Sequence, residues 1–362
     1  MPGSSARSAV PTFVPGGFAP PGPPAPSLAR RFNDSPGTPA PRLAPSAALA
    51  LRRSLRCGRG SLRSVSSLAG LARCLIGIGV GLSAAPACAQ GDPPVGVRAA
   101  GMAGAFTAVA DDASAAVWNP AGLASGSFVS FAIDGNHFNG QSTLFVGFGS
   151  PPLAVTYLRS ATAEVSNGRN MLVTHNFGVS LVQSLGDTGF AVGTTLKYVR
   201  GITSAEAVPS RSSNAFDADV GVLFSRGIGQ IGLAVRNAAE PSFAAADGSG
   251  GEIRLDRKVR AGASLHVNER TTVAGDVEFT KATTLSGVWR DAAIGVETHP
   301  LGPLWLRSGV HWNTAGGQTG AAPIAAFGAS YTIRGALMAE GQASLGPAHG
   351  NRGWGLGLRF SF

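Results

Sequence analysis

Cysteine is almost missing from this chain, and the three that occur, Cys57, Cys74 and Cys88, fall in its first quarter. The remainder has neither a disulfide framework nor thiol chemistry. Acids are nearly missing from that same stretch: residues 1–89 hold ten of the 29 Lys and Arg but a single acid, Asp34. That leaves 19 basic and 19 acidic residues from position 90 onward. The formal charge of +9 therefore belongs to the front of the chain and implies no nucleic-acid partner. Catalytic patterns are lacking too. The six histidines (His137, His175, His266, His299, His311 and His349) are dispersed, with no H-E-x-x-H or other ligand spacing. A Ser–His–acid set can be assembled from so many serines that it carries no weight. No catalytic residue, resident metal or cofactor is expected. Asp217-x-Asp219 could hold a cation, but strand alternation already explains both as lumen residues. A phospholipase-like barrel is the enzymatic alternative, with no residue pattern behind it.

Long apolar runs are also scarce. Leu68 to Leu82 is the longest, broken by glycines and Arg73, and it is too short for a spanning helix of about 20 residues. Arg52, Arg53, Arg56, Arg59 and Arg63 precede it and Ala87-Cys88-Ala89 follows it. A basic n-region, an apolar run and a small-x-small site predict a signal peptide over 65–89, with Gln90 as the first mature residue. Lipoprotein processing at Cys88 is the rival, though Ala85-Pro86-Ala87 lacks the usual leucine. Residues 1–64 hold 12 of the 24 prolines before position 46 and show no apolar periodicity. Such a segment does not bury enough surface to offset its ordering entropy. It reads either as a disordered basic tail or as an untranslated upstream region, with true initiation nearer Val65.

What the chain does have is period-two alternation. In Arg352 to Phe362, Trp354, Leu356, Leu358, Phe360 and Phe362 occupy one parity and Gly353, Gly355, Gly357, Arg359 and Ser361 the other. That places all the bulky apolar groups on one face of a strand. The code recurs. Phe216, Val220, Val222 and Phe224 alternate with Asp217, Asp219 and Gly221. Val259, Ala261, Ala263 and Leu265 alternate with Arg260, Gly262, Ser264 and His266. Val273, Val277 and Phe279 alternate with Ala274, Asp276 and Glu278. Leu306 and Val310 alternate with Arg307 and His311. Fourteen strand-like runs are predicted from Phe128 onward: 128–137, 142–149, 152–165, 170–184, 189–204, 214–226, 229–237, 253–267, 271–281, 285–297, 304–314, 323–333, 335–345 and 352–362. Loops are expected at 204–214 and 238–252, facing outside the cell. A sandwich would press the apolar faces together. A barrel in lipid turns them outward and lets the charges neutralise one another inside, which suits the even balance of signs. The expected fold class is all-β, a single transmembrane antiparallel β-barrel of about 14 strands with a short N-terminal helical plug. Asp217, Asp219, Arg260, Asp276, Glu278, Arg307, His311 and Glu340 form its expected polar lumen.

Before the strands, Gly101 to Ala124 reads GMAGAFTAVADDASAAVWNPAGLA. Small residues, Asp111, Asp112 and Ser114 as caps, and Pro120 after a break at Asn119 predict one or two short helices. On residues alone this is a plain helical cap. The pattern resembles more: Gly96, Arg98, Ala99, Gly101, Met102 and Ala105, then Ala110-Asp111-Asp112, Ser114-Ala115 and Asn119-Pro120-Ala121-Gly122-Leu123. It is similar to the N-terminal signature of the fatty-acid-transporter-like (FadL/TodX) outer-membrane barrels, and most similar to their secretion-shuttle, PorV-like branch. Ala103 departs from it, standing where glycine is common. The resemblance spans about 30 residues. It implies an outer-membrane barrel over 128–362 and a plug or hatch over 90–127, with Phe106, Asp111, Asp112, Trp118, Asn119 and Pro120 as plug or ligand residues. Passive transport of a hydrophobic small molecule is the implied function, and a non-transporting scaffold for secreted proteins is the alternative. The expected partners are membrane lipid, that small molecule or a secreted protein, and the barrel assembly machinery, which would read the terminal Phe362.

Overall fold

The computed structural model describes residues 95–138, 140–165, 170–205, 208–246, 252–284, 287–315, 322–347 and 352–362. The expectations for 1–64 and 65–89 lie outside the described residues. In chain order the strands are β1 Ser130–Phe138, β2 Gln141–Ser150, β3 Leu153–Val165, β4 Asn170–Ser184, β5 Phe190–Ala205, β6 Val208–Arg226, β7 Gly229–Arg236, β8 Ser242–Ala244 and β9 Glu252–Arg254. They continue with β10 Lys258–Asn268, β11 Thr271–Glu278, β12 Ala282–Thr284, β13 Gly287–Trp289, β14 Asp291–Leu301, β15 Leu304–Asn313, β16 Ile324–Arg334, β17 Leu337–Leu345 and β18 Arg352–Ser361. Fourteen of these close into one antiparallel barrel, each pairing with its neighbours along the chain and β1 pairing with β18. At that seam Val129 and Phe362 exchange both backbone hydrogen bonds at 3.0 Å. Closure gives every barrel strand a partner on both sides, as a lipid environment demands.

The other four strands form two small hairpins, β8 with β9 and β12 with β13. They correct the expected loop at 238–252 and the expected run 285–297, whose barrel strand starts at Asp291. The run expected at 253–267 likewise divides between β9 and β10. The expected loop 204–214 is corrected as well: β6 begins at Val208, and Ser212 and Ser213 pair with Ile202 and Gly201 of β5. That end of β6 is polar on both faces, so it lacks the alternation that marks a strand, yet backbone pairing does not need it. The connections at 150–153, 226–229, 268–271, 301–304 and 334–337 are tight, and both ends of the barrel's chain lie at that rim. The hairpins lie at the opposite, long-loop rim.

The two faces follow the alternation. Outward positions carry Leu196, Phe216, Ile231, Leu265, Ile294, Phe327, Trp354 and Leu356, all exposed. Inward positions carry Asp217, Asp219, Arg260, Asp276, Glu278, Arg307 and Glu340, all buried, and half-buried His311. A closed ladder with an apolar exterior on this scale is the architecture that crosses a bilayer.

The interior is occupied. Residues 95–126 form helix α1 (Val97–Gly101), helix α2 (Ala115–Trp118) and a 3-10 turn (Pro120–Ser125). Every residue from Val95 to Leu123 is buried except half-buried Asp111. The segment reaches strands all round the ring, from Ser130 on β1 through Thr195 on β5, Asp276 on β11 and Glu297 on β14 to Gly357 on β18. Only a chain lying within the ring can do so. Small residues make the fit. On Gly193 a Cβ would lie 2.3 Å from the Pro120 carbonyl carbon, and on Gly232 it would lie 2.6 Å from the Thr107 oxygen.

Candidate functional site

The segment is held by polar groups placed where its short helices leave backbone unsatisfied. Asp112 Oδ1 accepts from Ser114 N (2.9 Å) and Ser114 Oγ (2.5 Å). Asp112 therefore organises the start of α2, and Ser114 makes no side-chain capping bond of its own. Asn119 is extended (φ −156°) and fully buried. Its Oδ1 accepts from Ala121 N at 3.2 Å, and its Nδ2 donates to the Thr107 oxygen at 2.9 Å and the Val222 oxygen of β6 at 3.2 Å. Pro120, with no N–H to satisfy, opens the 3-10 turn. From the wall, Asp276 Oδ2 accepts from Phe106 N (3.1 Å), Thr107 N (2.9 Å) and Thr107 Oγ1 (2.6 Å). Ala103, where the resembled signature has glycine, sits at φ 55°, in the left-handed region that favours glycine.

Charge pairing completes the attachment. Arg98 of α1 donates from Nε and Nη2 to the two carboxylate oxygens of Glu297, both at 2.8 Å, and pairs with Asp111 and Asp112. Glu297 also accepts from Arg307 Nε at 2.5 Å. Glu340 binds Arg359 at 3.0 Å and lies 3.7 Å from Arg307, and Arg359 reaches Asp112 at 3.7 Å. Three arginines and four carboxylates thus link the segment to β14, β15, β17 and β18. Burial alone would raise the Asp112 carboxyl, but Arg98, Arg359 and the bonds from Ser114 outweigh it and hold it below the usual range. Its contribution is therefore complete above the unfolded carboxyl value of about 3.9 and is lost as pH falls through the lower folded value. The segment is expected to stay attached from pH 7 to about pH 4 and to loosen only below that. Emission of a variant with Trp118 as its sole tryptophan checks this, and a transition between about pH 5 and 6 would contradict it.

Aromatic groups form the other half of the site. Phe106 and Trp118 meet edge-on, with centroids 5.9 Å apart. The Arg98 guanidinium lies over Phe106 at 5.1 Å and that of Arg260 over Trp118 at 5.3 Å. Trp118 Nε1 donates to the Val95 oxygen at 2.7 Å. Toward the long-loop rim the segment borders two cavities. One, of ≈ 60 Å³, is lined by Trp118, Phe138, Arg236, Arg260, Trp289 and His311. The other, of ≈ 120 Å³, is lined by Val117, Thr143, Leu158, Leu172, Thr195 and Arg236. Toward the short-turn rim a third, of ≈ 290 Å³, is lined by Arg98, Asp111, Gln230, Glu297, His299 and Trp305.

Of the expected plug or ligand residues, Trp118 lines an outer cavity and Asp111 the inner one. Phe106, Asp112, Asn119 and Pro120 take part in the segment's own attachment, the role expected of Asp111 and Asp112. Asp217 and Asp219 converge on the Lys197 ammonium, each at 2.7 Å, so a lysine occupies the position a bound cation would take. Asp276 supports the Phe106–Thr107 turn, Arg260 and His311 both contact Asp291, and Glu278 lines the first cavity. Among the described residues, no cluster of His, Cys, Asp and Glu has the geometry of a metal site. Arg98, Glu297, Arg359, Lys197, Arg236 and Trp289 went unnamed as site residues. Arg98 did carry a signal, as a lone charge in an Ala- and Gly-rich stretch followed by Asp111 and Asp112.

Fold and site together define a membrane-spanning barrel whose lumen is occupied by its own residues 95–126. No family model and no curated protein matches the sequence. Solved structures do match in fold. The monoaromatic hydrocarbon channel CymD is similar over 76% of this chain and 99% of its own, with a TM-score of 0.60 and 12% identity. A Pseudomonas aeruginosa FadL homologue is similar over 77% of this chain and 100% of its own (TM-score 0.52, 12% identity). The Pseudomonas putida toluene transporter TodX is similar over 75% and 99% (TM-score 0.52, 11% identity).

Proposed function

We propose that this chain is an outer-membrane channel for passive passage of a small hydrophobic molecule, with residues 90–127 as its plug. The observation that carries this reading is the position of Trp118, whose ring belongs to the segment and also walls an outer cavity with Phe138 and Trp289. A molecule entering from the long-loop side meets that aromatic wall first, and displacement of the segment joins the outer cavities to the inner one. Arg260 beside Trp118 is already paired with Asp276 and Asp291, and together with Arg236 it lies over the indole ring. What the wall offers a neutral guest is the remaining aromatic surface of Trp118, Phe138 and Trp289. Both outer cavities, at ≈ 60 and ≈ 120 Å³, are smaller than the roughly 150 Å³ that holds a single ring, so even a single-ring guest enters only as the segment moves aside, and an extended acyl chain needs a larger displacement still. The fold shared with channels named for monoaromatic hydrocarbons and toluene supports the same class. Export by the signal peptide over 65–89 belongs to this reading, and a mature N-terminus at Gln90 would bear it out.

The test is entry of labelled toluene into vesicles with a lipopolysaccharide outer leaflet, whose saccharide layer slows an apolar solute that phospholipid alone admits freely. Wild type is expected to exceed protein-free vesicles several-fold, and Trp118→Lys, which puts an ammonium in the aromatic wall, to remove most of that excess. Rates equal to protein-free vesicles with a folded barrel would refute transport. Co-purification of a stoichiometric secreted protein would then favour the scaffold reading.

A further inference from the structure

Among the described residues, the outward positions of the fourteen barrel strands carry no Asp or Glu. They carry four arginines. Arg226 and Arg352 sit at the ends of β6 and β18, whereas Arg159 and Arg200 lie within β3 and β5. The last two are not scattered. Register places Arg159 opposite His175 of β4, His175 opposite Arg200, and Arg200 opposite Asn214 of β6. At ordinary inter-strand spacing the two arginine Cα atoms are about 10 Å apart. Neither guanidinium has an acidic partner among the described residues. His175 Nδ1 lies 2.8 Å from the Tyr157 hydroxyl.

The neighbouring row locates this one in the bilayer. One step toward the short-turn rim, Tyr157, Phe177, Tyr198 and Phe216 form a continuous aromatic band, with successive centroids 5.0, 6.4 and 5.6 Å apart. Near the short-turn rim of the same strands Phe190 and Phe224 pair at 4.5 Å. Between Phe190 and Tyr198 the tilted strand rises about 20 Å, close to the roughly 25 Å apolar band of such barrels. The two aromatic groups mark its edges, and Arg159, His175 and Arg200 stand just outside the long-loop edge. Two guanidinium groups facing lipid at that depth have one class of neighbour, the headgroups of the adjoining leaflet. Guanidinium groups match phosphate oxygens bidentately.

We propose that Arg159, Arg200 and His175 form a site for the phosphate of a membrane lipid headgroup, one that fixes this side of the barrel to its lipid. The inference rests on the membrane reading above. Native mass spectrometry of the full chain in a nonionic detergent, supplied with phosphatidic acid and with diacylglycerol, its dephosphorylated form, tests it. Wild type is expected to retain the phosphorylated form at least tenfold better. Arg159→Gln/Arg200→Gln is expected to lose that preference, and Arg226→Gln at the opposite rim to keep it. Heat-modifiable migration on gels verifies that each barrel is folded, and should the double variant not fold, the wild-type comparison of the two lipids decides. Equal retention of the two lipids by wild type, or an unchanged preference in the folded double variant, would overturn the site. Displacement of the lipid by millimolar inorganic phosphate would assign it to free phosphate instead. A folded protein retaining no lipid of any kind would overturn the membrane reading along with it.

Discussion

Replacing Gly193 by alanine is expected to unseat the interior segment while leaving the barrel closed. The added methyl would stand 2.3 Å from the Pro120 carbonyl carbon, 2.4 Å from Ala121 N and 2.6 Å from the Pro120 oxygen. All three are backbone atoms, so no side-chain rotation relieves them. Overpacking of this kind costs about 1–3 kcal/mol where neighbours can yield. Here the neighbour is a 3-10 turn braced by Asn119, and the β5 backbone is fixed on both sides by its ladders to β4 and β6. The turn is therefore the part that moves. A shift of about 2–3 kcal/mol lowers the seated fraction by a factor of roughly 30–150 relative to any open state. Single-channel conductance in planar bilayers should rise from small, infrequent openings to a sustained level, with heat-modifiable migration unchanged. Gly275→Ala is the control. Gly275 faces outward, and the nearest atom to its added methyl is 3.7 Å away, so conductance should not change. A Gly193→Ala barrel that conducts like wild type would show that the wall, not the segment, is the compliant element.

How far the sequence reached follows from the range over which each interaction acts. Alternation is local, so β18 and the facing of Asp217, Arg260, Glu278 and Arg307 were legible from a few residues each. The β8–β9 and β12–β13 hairpins were not, because three-residue strands show no period. Nor was the rim end of β6, where Pro209, Ser210, Ser212 and Asn214 read as loop, although its pairing with β5 needs only backbone groups. The breaks around Asn119-Pro120 were legible because a proline that opens a turn has a fixed φ and no N–H. What Asn119 does with its side chain was not, since its acceptors are the Thr107 oxygen and the Val222 oxygen, the latter 103 positions away. The roles assigned by resemblance show the same limit. Phe106, Asn119 and Pro120 were expected as ligand or plug residues, and the structure shows them bonding and packing the segment into its seat. Only three-dimensional closure separates a residue that meets the cavity, such as Trp118, from one that supports it.

The ion-pair network is the least legible part and carries the second large expectation. Arg98 and Glu297 are 199 positions apart, and both are buried. Glu297→Gln keeps the shape but removes one charge and turns one acceptor into a donor, facing Arg98 on one side and Arg307 on the other. Breaking a buried pair by removing one member costs about 3–5 kcal/mol, because the surviving charge stays desolvated. The folded chain escapes that cost by releasing α1 from the wall, which carries Arg98 toward water and leaves Arg307 with Glu340. Glu297→Gln is therefore expected to open the lumen by two to three orders of magnitude in the seated-to-open ratio, again read as conductance. Removing both charges should cost much less. Arg98→Met combined with Glu297→Leu leaves no bare ion in the pair itself, where apolar replacement is commonly near neutral, while Asp112 keeps Arg359 and Arg307 keeps Glu340, each at 3.7 Å. The double variant should then conduct within about tenfold of wild type, giving a coupling of about 2 kcal/mol or more in the cycle. Arg307 supplies a check on the route, since it retains Glu340 in every variant. If the double variant is as open as Glu297→Gln, the pair holds the segment by its bond and not by balancing buried charge. A desolvation account of the latch would then fail.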